Sequence, residues 1–429
     1  MVLLYVTVTC FLLFGTVPSQ AANYGLIGLT GTSPNPVFNL EAKSGYITPD
    51  DGNSIFMWGF ANGTGPMQYP GPNLIVNQGD NVTVNLTNQL TVPVSIVFPG
   101  QTNVTATGGT PGLLTNEAAA GGGSVTYTFT ASEPGTYTYH SGTQVERQVE
   151  MGLSGTLIVR PSMATPAGYA GCGYNSADSC FHREYLFFLN EIDHVIHEKV
   201  LFGLAATIDN TTAFPVYWFI NGRTALDTVA ENLYPILPTQ PYSALVLMHP
   251  NEKILVRMVG GGRAPHPLHL HGNHHRLIAR DGRLFKGPTG QDFSEGAFTT
   301  TVAPGQTADG IFVWTGVGLG WDIYGHAPGD PLATGECPGG LADPDCDHGK
   351  PLPVFIPSNE VLTFGPLYTG SPFIGGSGTL PPGEGGFNPW NGLPFMWHSH
   401  SEKELTSFNI FPGGMLTWAI VVHPDLTIP

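Results

Sequence analysis

The residues best suited to chemistry are histidines, concentrated in His266-Pro267-Leu268-His269-Leu270-His271-Gly272. On a β-strand, residues two apart face the same side, so His269 and His271 can present two imidazoles to one site. Imidazole is a common ligand for copper, zinc and iron. A second such pair, His398-Ser399-His400, follows Met396-Trp397. His140 closes the aromatic-rich run Tyr137-Thr138-Tyr139-His140. Isolated histidines are usually structural, and His182, His194, His197, His249, His326, His348 and His423 are read that way. His274 and His275 fit either reading. Two His-x-His pairs in one chain point to metal binding, with His269, His271, His398 and His400 as the candidate ligands.

Positioning these residues calls for strands. The 429-residue chain holds 57 Gly and 38 Pro, and only 11% of its residues are charged. Gly and Pro break long helices and suit short strands joined by many turns, so the expected class is all-β, with at least two domains at this length. Short β-branched or aromatic runs bounded by turn residues recur at 74–86, 125–129, 156–159, 185–189, 216–220, 254–259, 311–314 and 418–422. No amphipathic helix of useful length stands out. The halves also echo each other. Asn77-Gln78-Gly79-Asp80 precedes a strand as His249-Pro250-Asn251-Glu252 does, and Val97-Phe98-Pro99-Gly100 corresponds to His269-Leu270-His271-Gly272. Each half closes with an aromatic residue, a His and a Ser, then an apolar strand: Tyr139-His140-Ser141 and Trp397-His398-Ser399. A twice-used β-unit predicts one domain over 23–160, a linker over 161–181 and a second domain over 182–429.

A net charge of −17 argues against nucleic acid and anionic membrane as partners, because binding phosphate needs a basic face. Residues 1–22 carry no charge, and an apolar core ends in Val17-Pro18-Ser19-Gln20-Ala21-Ala22. This predicts a secretory signal peptide and an extracellular or periplasmic protein. Beyond it no apolar run approaches the roughly 20 residues of a spanning helix. Cys10 lies inside that segment, and the other four cysteines predict disulfides Cys172–Cys180 and Cys337–Cys346. A zinc knuckle is the rival, but its Cys-x-x-Cys spacing is missing. Asn62, Asn81, Asn85, Asn103 and Asn210 head glycosylation sequons.

Across nearly all of the chain beyond residue 28, these motifs resemble the multicopper oxidase family, whose domains are cupredoxin-type Greek-key β-sandwiches. The resemblance implies copper as cofactor. It makes His266 a ligand of the blue type 1 copper, His269 of type 2, and His271, His398, His400 and His140 of type 3. The departures matter as much. Ser399 stands at the type 1 cysteine, and the family's downstream His falls at Glu404. A hydroxyl cannot replace the soft thiolate of a blue site. By the internal repeat, Val97 and Pro99 occupy the first domain's His-x-His, and Gly142 stands where the partner of His140 belongs. Met415 is a candidate axial ligand or core filler.

The resemblance therefore implies a copper-binding oxidoreductase without a type 1 site, with a small phenol or a metal ion as substrate and O2 as oxidant. The alternative is a non-catalytic copper-binding or structural protein of an extracellular assembly. Two-domain relatives often build copper sites between subunits, so a homo-oligomer is among the assemblies the resemblance allows. Glu402 and Glu404 fit either a role beside a ligand imidazole or, the favoured reading, a solvated charged turn.

Overall fold

The computed structural model describes residues 23–315, 392–422 and 426–429, with 388, 390 and the short pieces Thr363–Phe364 and Leu367–Tyr368. The apolar segment 1–22, the Cys337–Cys346 pairing, His326, His348, His423 and the Gly-rich stretch 375–386 lie outside the described residues.

In the first half a five-stranded sheet runs Ile55–Asn62, Val37–Ile47, Asn81–Asn88, Gly123–Thr130, Thr105–Gly108. A four-stranded sheet runs Leu29–Thr30, Leu74–Asn77, Ser154–Arg160, Gly135–His140. The strand Asn81–Asn88 illustrates the cause. Its Val82, Val84 and Leu86 are fully buried while Asn81, Thr83, Asn85 and Thr87 face outward, the two-residue period of a half-buried strand. Residues of both sheets form one apolar cluster, from Phe38, Val84 and Tyr127 to Leu74, Leu157 and Tyr139, so the pair is a sandwich.

The second half repeats the plan. One sheet carries Tyr217–Ile220, Arg183–Ile192, Lys253–Gly260, Thr307–Val313, His275–Arg280 and Arg283–Leu284, with Glu295–Ala297 alongside. The other runs Val246–Met248, Leu416–Val421, Leu393–Ser399, His266–Leu270, Thr299–Val302. Their shared core includes Phe187, Val256, Phe312, Leu268, Trp397 and Ile420. Tyr24, from the start of the described chain, packs into this second core.

The two sandwiches meet through polar as well as apolar contacts. The fully buried Arg257 donates to Glu184 at 2.6 Å and to Thr136 at 2.7 Å, Arg160 forks onto Glu184, and Asp309 accepts from Thr136 and from Tyr174. Thr136 and Arg160 come from the first half and the other residues from 174 onward. Ile47, Ile55, Met57, Met67 and Tyr69 also pack against Ile192, Val216, Tyr217 and Phe219. The Cys172–Cys180 disulfide forms as expected. A two-turn helix, His194–Leu201, departs from the all-strand expectation; the Asp193 carboxylate caps it by accepting from the Val195 N–H at 3.0 Å.

Candidate metal centre

The strand His266–Leu270 pairs antiparallel with Leu393–Ser399, His269 opposite His398 and Leu268 opposite Ser399. Alternation then sorts the side chains. Leu268 and Leu270 point into the core with Trp397 and Ser399. His269 and His271 project from the other face, and the chain turns sharply after them at Gly272, whose φ of 67° favours a residue without Cβ.

One atom from each of His269, His271 and His398 lies within 4.8 Å of the others. His271 Nε2 and His398 Nε2 are 2.7 Å apart and share a hydrogen bond. Ligands bound about 2.0 Å from one metal ion at a right angle are separated by about 2.8 Å, so this pair is spaced for cis coordination. His398 Nδ1 is bonded to the Ser399 carbonyl at 2.6 Å and His269 Nδ1 to Thr299 Oγ1 at 2.8 Å. Such bonds fix ring orientation and leave the opposite nitrogens for a metal. His400 joins the group, its ring centroid 4.8 Å from that of His269 and 5.7 Å from that of His398.

Burial, then the Ser399 carbonyl acting in the opposite sense and the neighbouring imidazoles, leaves His398 with a pKa of about 4. Burial and the nearby His271 and His400 lower His269, and burial and His400 lower His271. These three rings are therefore neutral at pH 7, the form that binds copper or zinc. The donor set fits copper.

His140 is not gathered into this group. Its Nδ1 is bonded to the Ser141 carbonyl at 2.9 Å, as His398 is to Ser399, and it bridges Val97 as His398 pairs with His269. The repeat thus carries through to strand pairing, with Val97 where the second half has His269. A Cβ on Gly142 would sit 2.8 Å from Val97 Cγ1 and 3.0 Å from Ser95 Oγ, so a side chain there requires Val97 to move.

Beneath the histidine-bearing strands lies a second constellation. His266, fully buried, donates from Nδ1 to Glu404 at 2.9 Å and from Nε2 to Glu191 at 2.8 Å. Ser399 Oγ donates to the same Glu404 oxygen at 2.6 Å, and Glu191 also accepts from the Arg263 N–H at 2.7 Å. Burial opposes the charged imidazolium, but the hydrogen bonds and charges of Glu191 and Glu404 outweigh it and raise His266 to about 9. Met415 is buried beside them, its N–H donating to the Glu404 carbonyl at 2.7 Å and its carbonyl accepting from the Ser399 N–H at 3.0 Å.

Glu404 corrects the expectation of a solvated turn. Glu402 is exposed, but the short 3-10 turn Glu402–Leu405 carries Glu404 inward. Glu191 escaped the sequence reading altogether; its signal is an acidic residue inside the apolar run Arg183–Ile192. His275 is buried with Nε2 on Thr300 Oγ1 and its ring against Trp397, whereas His274 is exposed beside Phe298. His182, His197 and His249 bond backbone atoms, consistent with structural roles.

Residues 41–164 match the family model described as multicopper oxidase. The chain is 33% identical over 121 residues to the multicopper oxidase MCE of Talaromyces pinophilus, covering 28% of this chain and 19% of that one. It is 30% identical over 155 residues to the laccase abr2 of Aspergillus fumigatus, covering 34% and 25%. The chain thus spans only about a fifth to a quarter of the length of these relatives. Among solved structures it is similar to a blue copper oxidase from Nitrosomonas europaea, with TM-score 0.57 and 18% identity, covering 91% of this chain and 86% of that one. It is also similar to a copper-containing nitrite reductase from Thermus scotoductus, with TM-score 0.52 and 15% identity, covering 92% and 64%. At such identities these likenesses speak for the fold, two cupredoxin-type sandwiches.

Proposed function

We propose that the chain is a member of the multicopper oxidase family and a copper-binding oxidoreductase working without a type 1 copper. One observation carries this reading. Three residues at type 1 ligand positions, His266, Ser399 and Glu404, join Glu191 in a closed array in which His266 bridges the two carboxylates and Ser399 caps Glu404, while His269, His271 and His398 converge on the opposite face with neutral nitrogens. A protonated His266 has no lone pair for a metal, and a serine oxygen offers no thiolate.

Copper held by His269, His271, His398 and His400 would supply one-electron chemistry between a reducing substrate and O2. The protein's part is to hold those imidazoles neutral and oriented. His271 and His400 are exposed, so a small phenol or a metal ion can reach the centre directly, without a relay through a second metal. His140 belongs to the proposed ligand set only if another chain or a rearrangement brings it to the four, and a homo-oligomer is the assembly that would do so. Secretion through the segment 1–22, and division into units at 23–160 and 182–429 joined by 161–181, complete the proposal. Among the described residues no helix is long and apolar enough to cross a membrane.

A second reading, a copper-binding or structural protein without turnover, is favoured by the separation of His140 from the other four and by Val97, Pro99 and Gly142 at the remaining positions. Oxygen uptake by copper-loaded protein, with a methoxyphenol or Fe(II) as reductant, separates the two. Turnover abolished by His269→Ala supports the first reading, and tight copper without oxygen uptake supports the second.

A further inference from the structure

Each of the two adjacent strands that carry the candidate copper ligands turns one polar side chain to the inner side, and both side chains end on one atom. His266, on His266–Leu270, reaches Glu404 Oε2 at 2.9 Å, and Ser399, on Leu393–Ser399, reaches the same oxygen at 2.6 Å. We propose that Glu404 is a positioning residue of the histidine centre: one carboxylate ties the two strands together from below and so sets where the His398 and His400 imidazoles stand against His269 and His271.

Ser399 lies between His398 and His400 and is held from several sides. Its Oγ donates to Glu404 and accepts from the Ser401 N–H at 3.2 Å, while its N–H donates to the Met415 carbonyl. Its own carbonyl bonds His398 Nδ1 at 2.6 Å. On the second strand the His400 N–H donates to the Pro267 carbonyl at 2.7 Å, one residue past His266. A shift of Glu404 therefore moves the peptide to which His398 is bonded and the backbone step that aims His400. The first half contains a neutral counterpart. Buried Ser141, following His140, donates to Gln148 Oε1 at 2.5 Å, and Gln148 Nε2 ties back to the Pro93 carbonyl. The serine tether is thus built twice, and only the copy beneath the four clustered histidines uses a carboxylate and a histidine from the neighbouring strand.

This inference rests on the copper reading for its metal measurement, so the experiment also has a metal-free arm. Glu404→Gln and Ser399→Ala are compared with Glu191→Gln, which breaks the far end of the His266 array and leaves the Ser399–Glu404 bond intact. Cu(II) affinity is read by competition titration, the copper environment by EPR, and the imidazole nitrogen shifts of His398 and His400 by NMR of the copper-free protein. The expected result is a roughly 10–100-fold loss of affinity in Glu404→Gln and Ser399→Ala, the cost typical of losing a partner that orients metal ligands, with altered EPR parameters. The His398 and His400 shifts move in both variants, Glu191→Gln matches wild type in all three readouts, and Glu404→Asp recovers part of the affinity. Should Glu404→Gln not fold, Ser399→Ala carries the test alone. Wild-type affinity and EPR in both tether variants would overturn the positioning role while leaving the copper reading intact. If wild-type protein takes up no copper, the copper reading fails, and the positioning role stands or falls on whether the metal-free shifts move.

Discussion

The buried His266 array makes a quantitative prediction about stability. An ordinary imidazole titrates near 6.5, whereas His266 between Glu191 and Glu404 titrates at about 9. The raised value means that the folded state holds its proton more tightly than the unfolded chain. Below pH 6.5 both states are protonated and the full stabilisation is present. Between pH 6.5 and 9 the unfolded chain releases the proton and the folded protein keeps it, so stability falls by about 1.4 kcal/mol per pH unit, roughly 3 kcal/mol in all. His266 is fully buried, so solvent screening does not reduce this figure. Among the described residues, few other shifted groups act in this window. His275 and His398, both lowered to about 4, affect stability below pH 6.5, and buried tyrosines such as Tyr137, raised to about 12, act above pH 10. The assay is urea unfolding of metal-free protein at half-unit steps from pH 6 to 9.5, with the His266 ring proton followed by NMR. The expected result is an unfolding free energy declining by roughly 3 kcal/mol across the window, and a much flatter profile for Glu404→Gln. A flat wild-type profile, or a ring titrating near 6.5, would show that the two carboxylates do not hold the His266 proton.

The lowering of His398, His269 and His271 implies that copper affinity declines at lower pH than it would on ordinary imidazoles, because proton competition at those rings sets in later as pH falls. A competition titration checks this, and a fall tracking an ordinary imidazole contradicts it. The double substitution Ser399→Cys with Glu404→His should bring a thiolate, two imidazoles and Met415 together and yield an intense blue absorption with Cu(II) that neither single variant shows. A colourless double variant would mean that the site no longer has type 1 geometry. Arg257→Met removes the buried cation between Glu184 and Asp309, leaving Glu184 to Arg160 and Asp309 to the Thr136 and Tyr174 hydroxyls, and should cost about 3–5 kcal/mol in chemical denaturation. A cost below about 1 kcal/mol would show that the array contributes little to holding the sandwiches together.

Much of the fold was legible because its signal is local. The alternation in Asn81–Asn88 and the Gly- and Pro-bounded apolar runs report strands directly, and the repeat of Tyr139-His140-Ser141 as Trp397-His398-Ser399 reports a unit used twice. The His-x-His pairs were legible for the same reason, since a period of two assigns them a common face. The convergence of His269 with His398 was legible only through the family resemblance, because it depends on the register between strands more than a hundred residues apart. Glu404 misled because Ser401-Glu402-Lys403-Glu404 is polar throughout, and only the 3-10 turn aims one of its carboxylates inward. Glu191 gave a faint signal, since a charged residue in an apolar strand declares that it has a partner without saying which. The helix His194–Leu201 was missed because two turns with a modest apolar face leave little periodicity to detect.

Copper should bind on the four histidines and not at the Ser399 position. The most direct check of this is copper per chain after reconstitution with Cu(II), read with visible and EPR spectra, for wild type and for His269→Ala combined with His271→Ala. The expected result is tight uptake without a blue thiolate band, lost in the double variant. Uptake unchanged by removing His269 and His271, or no tight copper in wild type, would contradict it.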